Sequence, residues 1–117
     1  RDRKVIVGCG DGDYQMAGFE LMTAVENKIP VIWIIFNNGE YNIIKMMHKK
    51  NYNGKEVFNH FLNPDFPAYA EACGARGYRI EKLYDFAPAF KDALGQEGPC
   101  LIDVHVESEV YAPFGLF

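Results

Sequence analysis

The sequence has few cysteines, and none of them has the spacing that builds a disulfide framework or a zinc site. Its three cysteines, Cys9, Cys73 and Cys100, lie far apart and form no C-x-x-C motif. Both kinds of site need paired or closely spaced thiols. All three cysteines lie among apolar residues, where cysteine usually serves as a small core residue. We therefore expect reduced thiols and a cytoplasmic setting.

A long apolar run and a basic stripe are also missing. A membrane helix needs about 20 consecutive apolar residues, and no run in this chain approaches that length. The formal net charge is −4, and no stretch of Lys and Arg alternates with aromatic residues. Without that electrostatic footprint, general binding to nucleic acid is not expected. We expect neither a membrane nor a nucleic acid as a partner.

The residues that are present have the balance of an ordinary globular domain. Of the 117 residues, 49% are apolar and 24% are charged, which is typical of a soluble folded chain. A chain of this length buries roughly two-thirds of the surface that its unfolded form exposes. We expect one domain over residues 1–117. Because the chain begins with Arg1 rather than Met, we also expect it to be a segment of a longer protein.

Strand-like and helix-like patterns alternate along the chain. Residues 31–36 are six consecutive apolar residues without alternation, which is typical of a strand covered on both faces. Asp13 is the predicted N-cap of the first helix, and Pro64 is predicted to be the first residue of the third. Residues 49–63 are predicted to be a loop. The predicted strands are 5–10, 31–36, 77–80 and 100–106, and the predicted helices are 14–28, 41–48, 64–73 and 85–94. This order predicts an α/β fold with an open, mainly parallel sheet and helices on both faces.

Polar residues follow two of the predicted strands. In open parallel sheets, ligands bind beyond the carboxyl ends of the strands. If the first two strands are neighbours, Asp11 and Asn38 meet at that edge. Mg²⁺ binds carboxylate, amide and backbone oxygens together with substrate phosphates. The Asp11 carboxylate, the Asn38 amide and the carbonyl of Glu40 are therefore candidate magnesium ligands, with a diphosphate completing the shell.

The glycines beside Asp11 favour the approach of an anion. Gly10 and Gly12 let the backbone come close to a ligand, and the amides at the start of the next helix favour negative charge. The bland alternative is that both segments are simple turns, and Asn37-Asn38-Gly39 alone would be interpreted in that way. For Asp13, we favour a role as a helix cap over a role as a ligand by two to one.

The pattern Gly10-Asp11-Gly12 followed by Asn37-Asn38, with Asn38 27 positions after Asp11, resembles the G-D-G…N-N motif of thiamine-diphosphate enzymes. The resemblance implies that Asp11, Asn38 and the Glu40 carbonyl bind Mg²⁺ and that thiamine diphosphate is the cofactor. The cofactor-binding residues that it implies are Gly10, Asp11, Gly12, Asp13, Asn38, Gly39, Glu40, Tyr41, Asn42 and Ile43.

Two further stretches, 63–75 and 98–104, resemble acetolactate synthase large subunits. Aldehyde-releasing decarboxylases of the family often carry Glu at the position of Ile44, whereas acetolactate synthase-like members carry an aliphatic residue there. The resemblance therefore implies a decarboxylating and carboligating enzyme acting on a 2-keto acid such as pyruvate, with Ile43 and Ile44 as candidates for lining the substrate pocket. Pyruvate oxidase, benzoylformate-type decarboxylase and acyl-CoA lyase remain rival branches, and a non-catalytic α/β binding module remains a rival of another class.

The resemblance also implies parts that these 117 residues do not contain. The family activates the cofactor with a Glu from a separate pyrimidine-binding domain, usually of another subunit. We therefore expect the chain to be the C-terminal part of a diphosphate-binding domain, without its pyrimidine-binding and middle domains. It then carries no catalytic residue of its own, is inactive alone and pairs into a homodimer or homotetramer through the cofactor-binding interface. Two departures from the family pattern are Asp13, where Ser, Ala or Gly is common, and the aromatic tail 111–117.

Overall fold

The computed structural model describes residues 3–108, and the prediction on the tail 111–117 lies outside them. The strands are β1 (Val5–Gly10), β2 (Val31–Asn37), β3 (Arg76–Ile80) and β4 (Cys100–His105). The helices are α1 (Asp11–Ala17), α2 (Glu20–Glu26), α3 (Asn42–Asn51), α4 (Phe66–Ala72) and α5 (Leu83–Gly95). The four strands form one sheet in the order β1-β2-β4-β3, and every pair is parallel. The predicted open α/β fold is confirmed.

The sheet is covered on both faces, which explains the unbroken apolar run in β2. On one face, Trp33 and Ile35 pack against α1, α2 and α4. On the other face, Ile32 and Ile34 pack against a cluster that includes α5. Because successive side chains of a strand point to opposite faces, a strand with two covered faces needs apolar residues at every position.

The first predicted helix is in fact two helices, so the prediction of one helix over 14–28 is wrong. The chain turns at Gly18 and Phe19, where Leu21 N–H donates to the Gly18 carbonyl and Met22 N–H to the Phe19 carbonyl. These bonds to the third preceding residue tighten the chain and interrupt the α-helical ladder. The Tyr69 hydroxyl also donates to the Gly18 carbonyl, at 2.9 Å, and holds the turn against α4.

Two predicted helix starts are also wrong. The helix α1 begins at Asp11, directly after β1, so Asp13 is not the N-cap but lies inside the first turn. Its Oδ2 accepts a hydrogen bond from the Gly10 amide at 3.2 Å, so the side chain still satisfies a backbone N–H at the helix end. In α4, Asp65 is the N-cap and accepts from the Ala68 amide at 3.0 Å, which leaves Pro64 outside the helix.

The loop predicted over residues 49–63 is shorter in the structure, because α3 continues to Asn51. The segment after α3 folds back on the end of β2 through an antiparallel bridge between Glu40 and His60. Within residues 3–108, no helix combines the length and the apolar character needed to cross a membrane. Cys9 and Cys73 are partly buried, Cys100 is buried, and all three are free thiols.

The contact between α4 and β3 depends on a glycine. A Cβ atom on Gly77 would lie 2.5 Å from the Pro67 carbonyl oxygen and 2.6 Å from the Pro67 Cα. Both atoms are backbone, so α4 would have to move away from the sheet. We expect Gly77→Ala to lower the free energy of unfolding by about 1–3 kcal/mol, measured by urea denaturation.

Gly95→Ala is the matched control, since a Cβ there meets nothing within 4 Å. We expect its midpoint in urea to equal or slightly exceed that of the wild type. Equal stability of the two variants would contradict the close packing of α4 on β3.

Candidate magnesium and diphosphate site

The pairing of β1 with β2 brings Asp11 to the turn that contains Asn38. The register places Gly10 opposite Phe36, so the first residues beyond the two strands meet at the same edge. Asp11 is only 2% exposed. Its Oδ2 accepts hydrogen bonds from the backbone amides of Asn38, at 3.2 Å, and Gly39, at 2.7 Å. The sheet therefore brings the Asp11 carboxylate to the backbone of the turn that carries Asn38, the second predicted ligand.

The hydrogen bonds of Asp11 are distributed unequally between its two oxygens. Oδ2 has a third donor, the Asn63 amide, at 2.7 Å. Among the residues that the structure describes, Oδ1 accepts only from the neighbouring Gly12 amide, at 2.9 Å. A carboxylate oxygen can accept more than one bond. The carboxylate is thus anchored through one oxygen and keeps acceptor capacity on the other.

Asn38 and Glu40 add two further oxygens on the same turn. The Asn38 side-chain oxygen accepts from the Glu40 amide at 3.1 Å, and the Glu40 carbonyl accepts from the Asn42 amide at 3.0 Å. Each oxygen has a second lone pair. Gly39, between them, has a φ of +67°, a conformation that glycine adopts without steric cost. One carboxylate, one amide and one carbonyl are a suitable oxygen donor set for Mg²⁺ with an anionic diphosphate.

This donor set differs from the clusters of ionisable ligands found in zinc sites. Within the described part of the chain, no three His, Cys, Asp or Glu side chains are grouped so that they could hold a metal ion. Among the three candidate ligands, only Asp11 contributes such a side chain. It accordingly suits a hard cation whose remaining ligands come from phosphate and water.

The side chain of Glu40 has a structural role that the sequence did not reveal. It is buried and accepts hydrogen bonds from the Lys45 ammonium at 2.8 and 3.0 Å. His60 Nδ1 lies 2.9 Å from its Oε1. These contacts hold the turn that carries the Glu40 carbonyl between α3 and the loop before α4. Only the backbone of Glu40 belongs to the candidate metal ligands.

An aromatic ring covers the turn between β1 and α1. A Cβ atom on Gly12 would lie 2.4 Å from Cε1 of Tyr41. The Tyr41 ring in turn packs on Phe61, with 4.5 Å between the ring centroids. Gly12 is therefore required by the packing of Tyr41, in addition to the predicted approach of a diphosphate.

The remaining predicted residues lie around this turn. Asp13 is exposed, and its side chain is directed back to the Gly10 amide rather than toward Asp11. Ile43 and Ile44, on the first turn of α3, are 60% and 45% exposed. Asn42 follows Tyr41, and its buried Oδ1 has no partner among the described residues. The roles of these residues in holding a cofactor or a substrate stay predictions.

Burial and charge keep the nearest thiol unreactive. Burial, together with the negative charges of Asp13 and Asp11, raises the pKa of the Cys9 thiol. The reactive form of cysteine is the thiolate. Cys9 is therefore a neutral thiol at neutral pH and contributes packing rather than chemistry at this edge of the sheet.

Three polar residues at the site were not assigned to it from the sequence. Asn63 donates to Asp11 at 2.7 Å and to the Asn37 oxygen at 2.8 Å. Asn37 donates to Asp103 at 2.9 Å. The signal for Asp103 was a carboxylate in an otherwise apolar strand, because a buried charge needs partners. Asn63 carried no such signal, since Asn-Pro-Asp before a helix is ordinary capping sequence.

Comparison with known proteins shows the family to which the chain belongs. The sequence model of the family described as "Thiamine pyrophosphate enzyme, C-terminal TPP binding domain" matches residues 1–104. The chain belongs to this family. It has the fold of the family's cofactor-binding domain. Its relatives in this family include acetolactate synthases and decarboxylases that depend on thiamine diphosphate.

Individual relatives cover nearly all of this chain but only a small part of their own length. A putative thiamine pyrophosphate-containing protein of Bacillus subtilis, YdaP, is 36% identical over 112 residues, which are 96% of this chain and 19% of that protein. Acetolactate synthase of Bacillus subtilis is 36% identical over 104 residues, 89% of this chain and 18% of the relative. The chain thus spans about a fifth of the length of these relatives.

A solved structure shows the same fold at similar identity. The thiamine diphosphate-dependent 4-hydroxybenzoylformate decarboxylase of Rhodococcus jostii RHA1 superposes with a TM-score of 0.85 and 37% identity. The match covers 91% of this chain and 20% of the decarboxylase chain.

The buried ion pair of Glu40 offers a test of how the turn is held. Lys45→Met leaves the buried Glu40 carboxylate with His60 and without its ammonium partner. We expect a loss of about 1–3 kcal/mol in the free energy of unfolding, because a buried group loses its hydrogen bonds. Urea denaturation at neutral pH measures it.

Lys49→Met, also on α3, is the matched control. Lys49 lies 3.6 Å from Glu56, and the two side chains are 45% and 28% exposed, against 14% and 7% for Lys45 and Glu40. A surface pair of this kind contributes about 1 kcal/mol or less. If Lys49→Met lowered the free energy of unfolding as much as Lys45→Met, the buried contact of Lys45 with Glu40 would contribute no more to stability than a surface pair.

Proposed function

We propose that the chain binds thiamine diphosphate through a Mg²⁺ ion held by the Asp11 carboxylate, the Asn38 amide oxygen and the Glu40 carbonyl. The observation that carries the proposal is the buried Asp11 carboxylate, which accepts the amides of Asn38 and Gly39 and keeps acceptor capacity on Oδ1. Family membership supports the cofactor, and the oxygen donor set supports the cation.

The whole protein is proposed to be an acetolactate synthase-like enzyme that decarboxylates a 2-keto acid such as pyruvate and joins the product to a second carbonyl. The similarity to acetolactate synthase and the aliphatic Ile44 support this branch. The similarity to a solved 4-hydroxybenzoylformate decarboxylase favours a simple decarboxylase as the second candidate. Substrate profiling with pyruvate and benzoylformate separates the two, through the release of acetolactate or of an aldehyde.

Thiamine diphosphate, when bound, would supply the electron sink that the loss of CO₂ from a 2-keto acid requires. The residues of this chain position and bind. Asp11 and Asn38 hold the cation that neutralises the diphosphate, and Tyr41 packs over Gly12 beside it. Ile43 and Ile44 are proposed to line the substrate pocket from α3.

Pairing into a homodimer or homotetramer is part of the proposal. Met16 on α1, Met22 on α2 and Phe19 in the turn between these helices are all exposed in this chain. Exposed large apolar side chains favour burial against further protein. We propose a cytoplasmic location on the basis of the three free thiols.

The proposed metal ligand is tested by calorimetry on the 117-residue chain with thiamine diphosphate, with and without Mg²⁺. We expect weak binding that disappears in EDTA. Asp11→Ala removes a ligand and the group that orders the Asn38 turn, so we expect the affinity to fall by at least about tenfold.

Glu71→Ala, an exposed site on α4, is the control and should bind as the wild type does. Circular dichroism confirms that each variant is folded. The assignment would be refuted if Asp11→Ala bound thiamine diphosphate as tightly as the wild type, or if binding did not depend on Mg²⁺. Either result would favour the rival interpretation, a binding module whose two turns bind no metal.

Turnover gives a second test. The pyrimidine-binding domain that activates the cofactor in this family is expected to lie outside these residues. We expect no consumption of pyruvate by the 117-residue chain with thiamine diphosphate and Mg²⁺, monitored with a coupled dehydrogenase assay. Sustained turnover by the purified chain would show that it contains a catalytic group that we have not assigned.

A further inference from the structure

Asp103 is a fully buried carboxylate on the central strand β4. It is 1% exposed and is flanked along the strand by the buried Ile102. Its Oδ2 lies 3.3 Å from His105 Nε2 and 3.8 Å from Arg79 Nε. Its Oδ1 accepts a hydrogen bond from the Asn37 side-chain amide at 2.9 Å. A carboxylate in this position is costly unless it is paired, and these contacts supply the pairing.

A chain of side-chain amides connects Asp103 to Asp11. Asn37 donates to Asp103 and accepts from Asn63 at 2.8 Å. The same Asn63 nitrogen donates to Asp11 at 2.7 Å. The Asn63 oxygen accepts from the Gln15 amide at 2.6 Å. The order along the chain is therefore Asp103, Asn37, Asn63 and Asp11.

The two carboxylates fix the direction of this chain. An ionised carboxylate only accepts hydrogen bonds, so the group that faces it must be the nitrogen of an amide. From Asp103, the Asn37 nitrogen faces the carboxylate and its oxygen faces Asn63, which must then present its nitrogen. From Asp11, the requirement on Asn63 is the same. Both ends thus demand one orientation, and no amide in the chain can rotate by 180° without losing a bond.

A second connection supports Asn63 from the other side. Arg79 Nη2 lies 2.8 Å from Asp65 Oδ1, and Arg79 also faces Asp103. Asp65 caps α4 only two residues after Asn63. The hydrogen bond from the Ala68 amide, together with the charge and hydrogen bond of Arg79, lowers the pKa of Asp65, so it is ionised at neutral pH. The backbone on the C-terminal side of Asn63 is therefore held by the same guanidinium that pairs with Asp103.

We propose that Asp103 is a positioning residue for the magnesium site: through Asn37 and Asn63 it fixes the Asp11 carboxylate in the orientation that receives the cation. The inference rests on the proposed function of Asp11. Asp103 itself is separated from Asp11 by two amides, so it acts on the cation only through them. Groups that orient a metal ligand commonly change metal affinity by about 10- to 100-fold when they are removed.

The experiment compares two pairs of variants of the 117-residue chain. Asp103→Ala is matched with Ile102→Ala, and the milder Asp103→Asn with Ile102→Val. Ile102 is equally buried on the same strand but packs in the apolar cluster beneath α5, outside the amide chain. For each variant, urea denaturation gives the stability, and calorimetry gives the Mg²⁺ affinity at saturating thiamine diphosphate.

We expect Asp103→Ala to weaken Mg²⁺ binding by about tenfold or more. We expect a smaller factor for Asp103→Asn, in which the amide at position 103 can still bond to Asn37 but no longer fixes the direction of the amide chain. The Ile102 variants should lose stability but keep the Mg²⁺ affinity within about twofold. If Asp103→Ala does not fold, the Asn and Val pair decides. Unchanged Mg²⁺ affinity in the Asp103 variants, or an equal loss in their Ile102 partners, would overturn the inference.

A measurement without metal separates this inference from the proposed function. In the metal-free wild type, the Asn63 side-chain amide protons should be shifted downfield and exchange slowly, since both are hydrogen-bonded. In Asp103→Asn they should shift and exchange faster, whereas in Ile102→Val they should not. If the wild type shows no Mg²⁺-dependent binding, the proposed function fails. The Asn63 resonances then test on their own whether Asp103 orients the amide chain. Unchanged Asn63 resonances in Asp103→Asn would overturn that inference.

Discussion

The candidate site depends on one buried carboxylate that joins two strand ends. Asp11 follows β1 directly, and its Oδ2 accepts the two amides of the turn after β2. Without this anion, the partly buried amides of Asn38 and Gly39 would lose their hydrogen-bond acceptor, which is costly. The carboxylate therefore shapes the turn that supplies the two other candidate ligands. A single interaction sets the positions of all three oxygens.

The fold was largely predictable because it follows from burial patterns. The unbroken apolar run of β2 predicts a strand with two covered faces, and the alternation of strands and helices predicts a parallel sheet. The meeting of Asp11 with Asn38 was predictable only on condition that β1 and β2 are neighbours, since the order of strands is not encoded locally. The register of β1 on β2 fulfils that condition.

The errors have local physical causes. At the break, the Gly18 carbonyl accepts a hydrogen bond from the hydroxyl of Tyr69, 51 positions away in the sequence. Helical periodicity, which is a local pattern, could not reveal this contact. The roles of Asn63 and Asp103 were missed for a similar reason. Both lie in stretches that resemble acetolactate synthase subunits, yet the resemblance does not say what the residues contact. In the structure, Asn63 contacts Asp11 directly, and Asp103 is connected to Asp11 only through Asn37 and Asn63.

We propose that Asp11 and the turn after β2 together hold one divalent cation. A crystal structure of the chain grown with thiamine diphosphate and Mn²⁺ in place of Mg²⁺ tests it most directly, because the anomalous signal locates the ion. We expect a single peak at about 2.1–2.2 Å from Asp11 Oδ1, the Asn38 side-chain oxygen and the Glu40 carbonyl, close to the distances of Mg²⁺ ligands. A peak elsewhere in the molecule, with Asp11 still bonded only to amides, would contradict it.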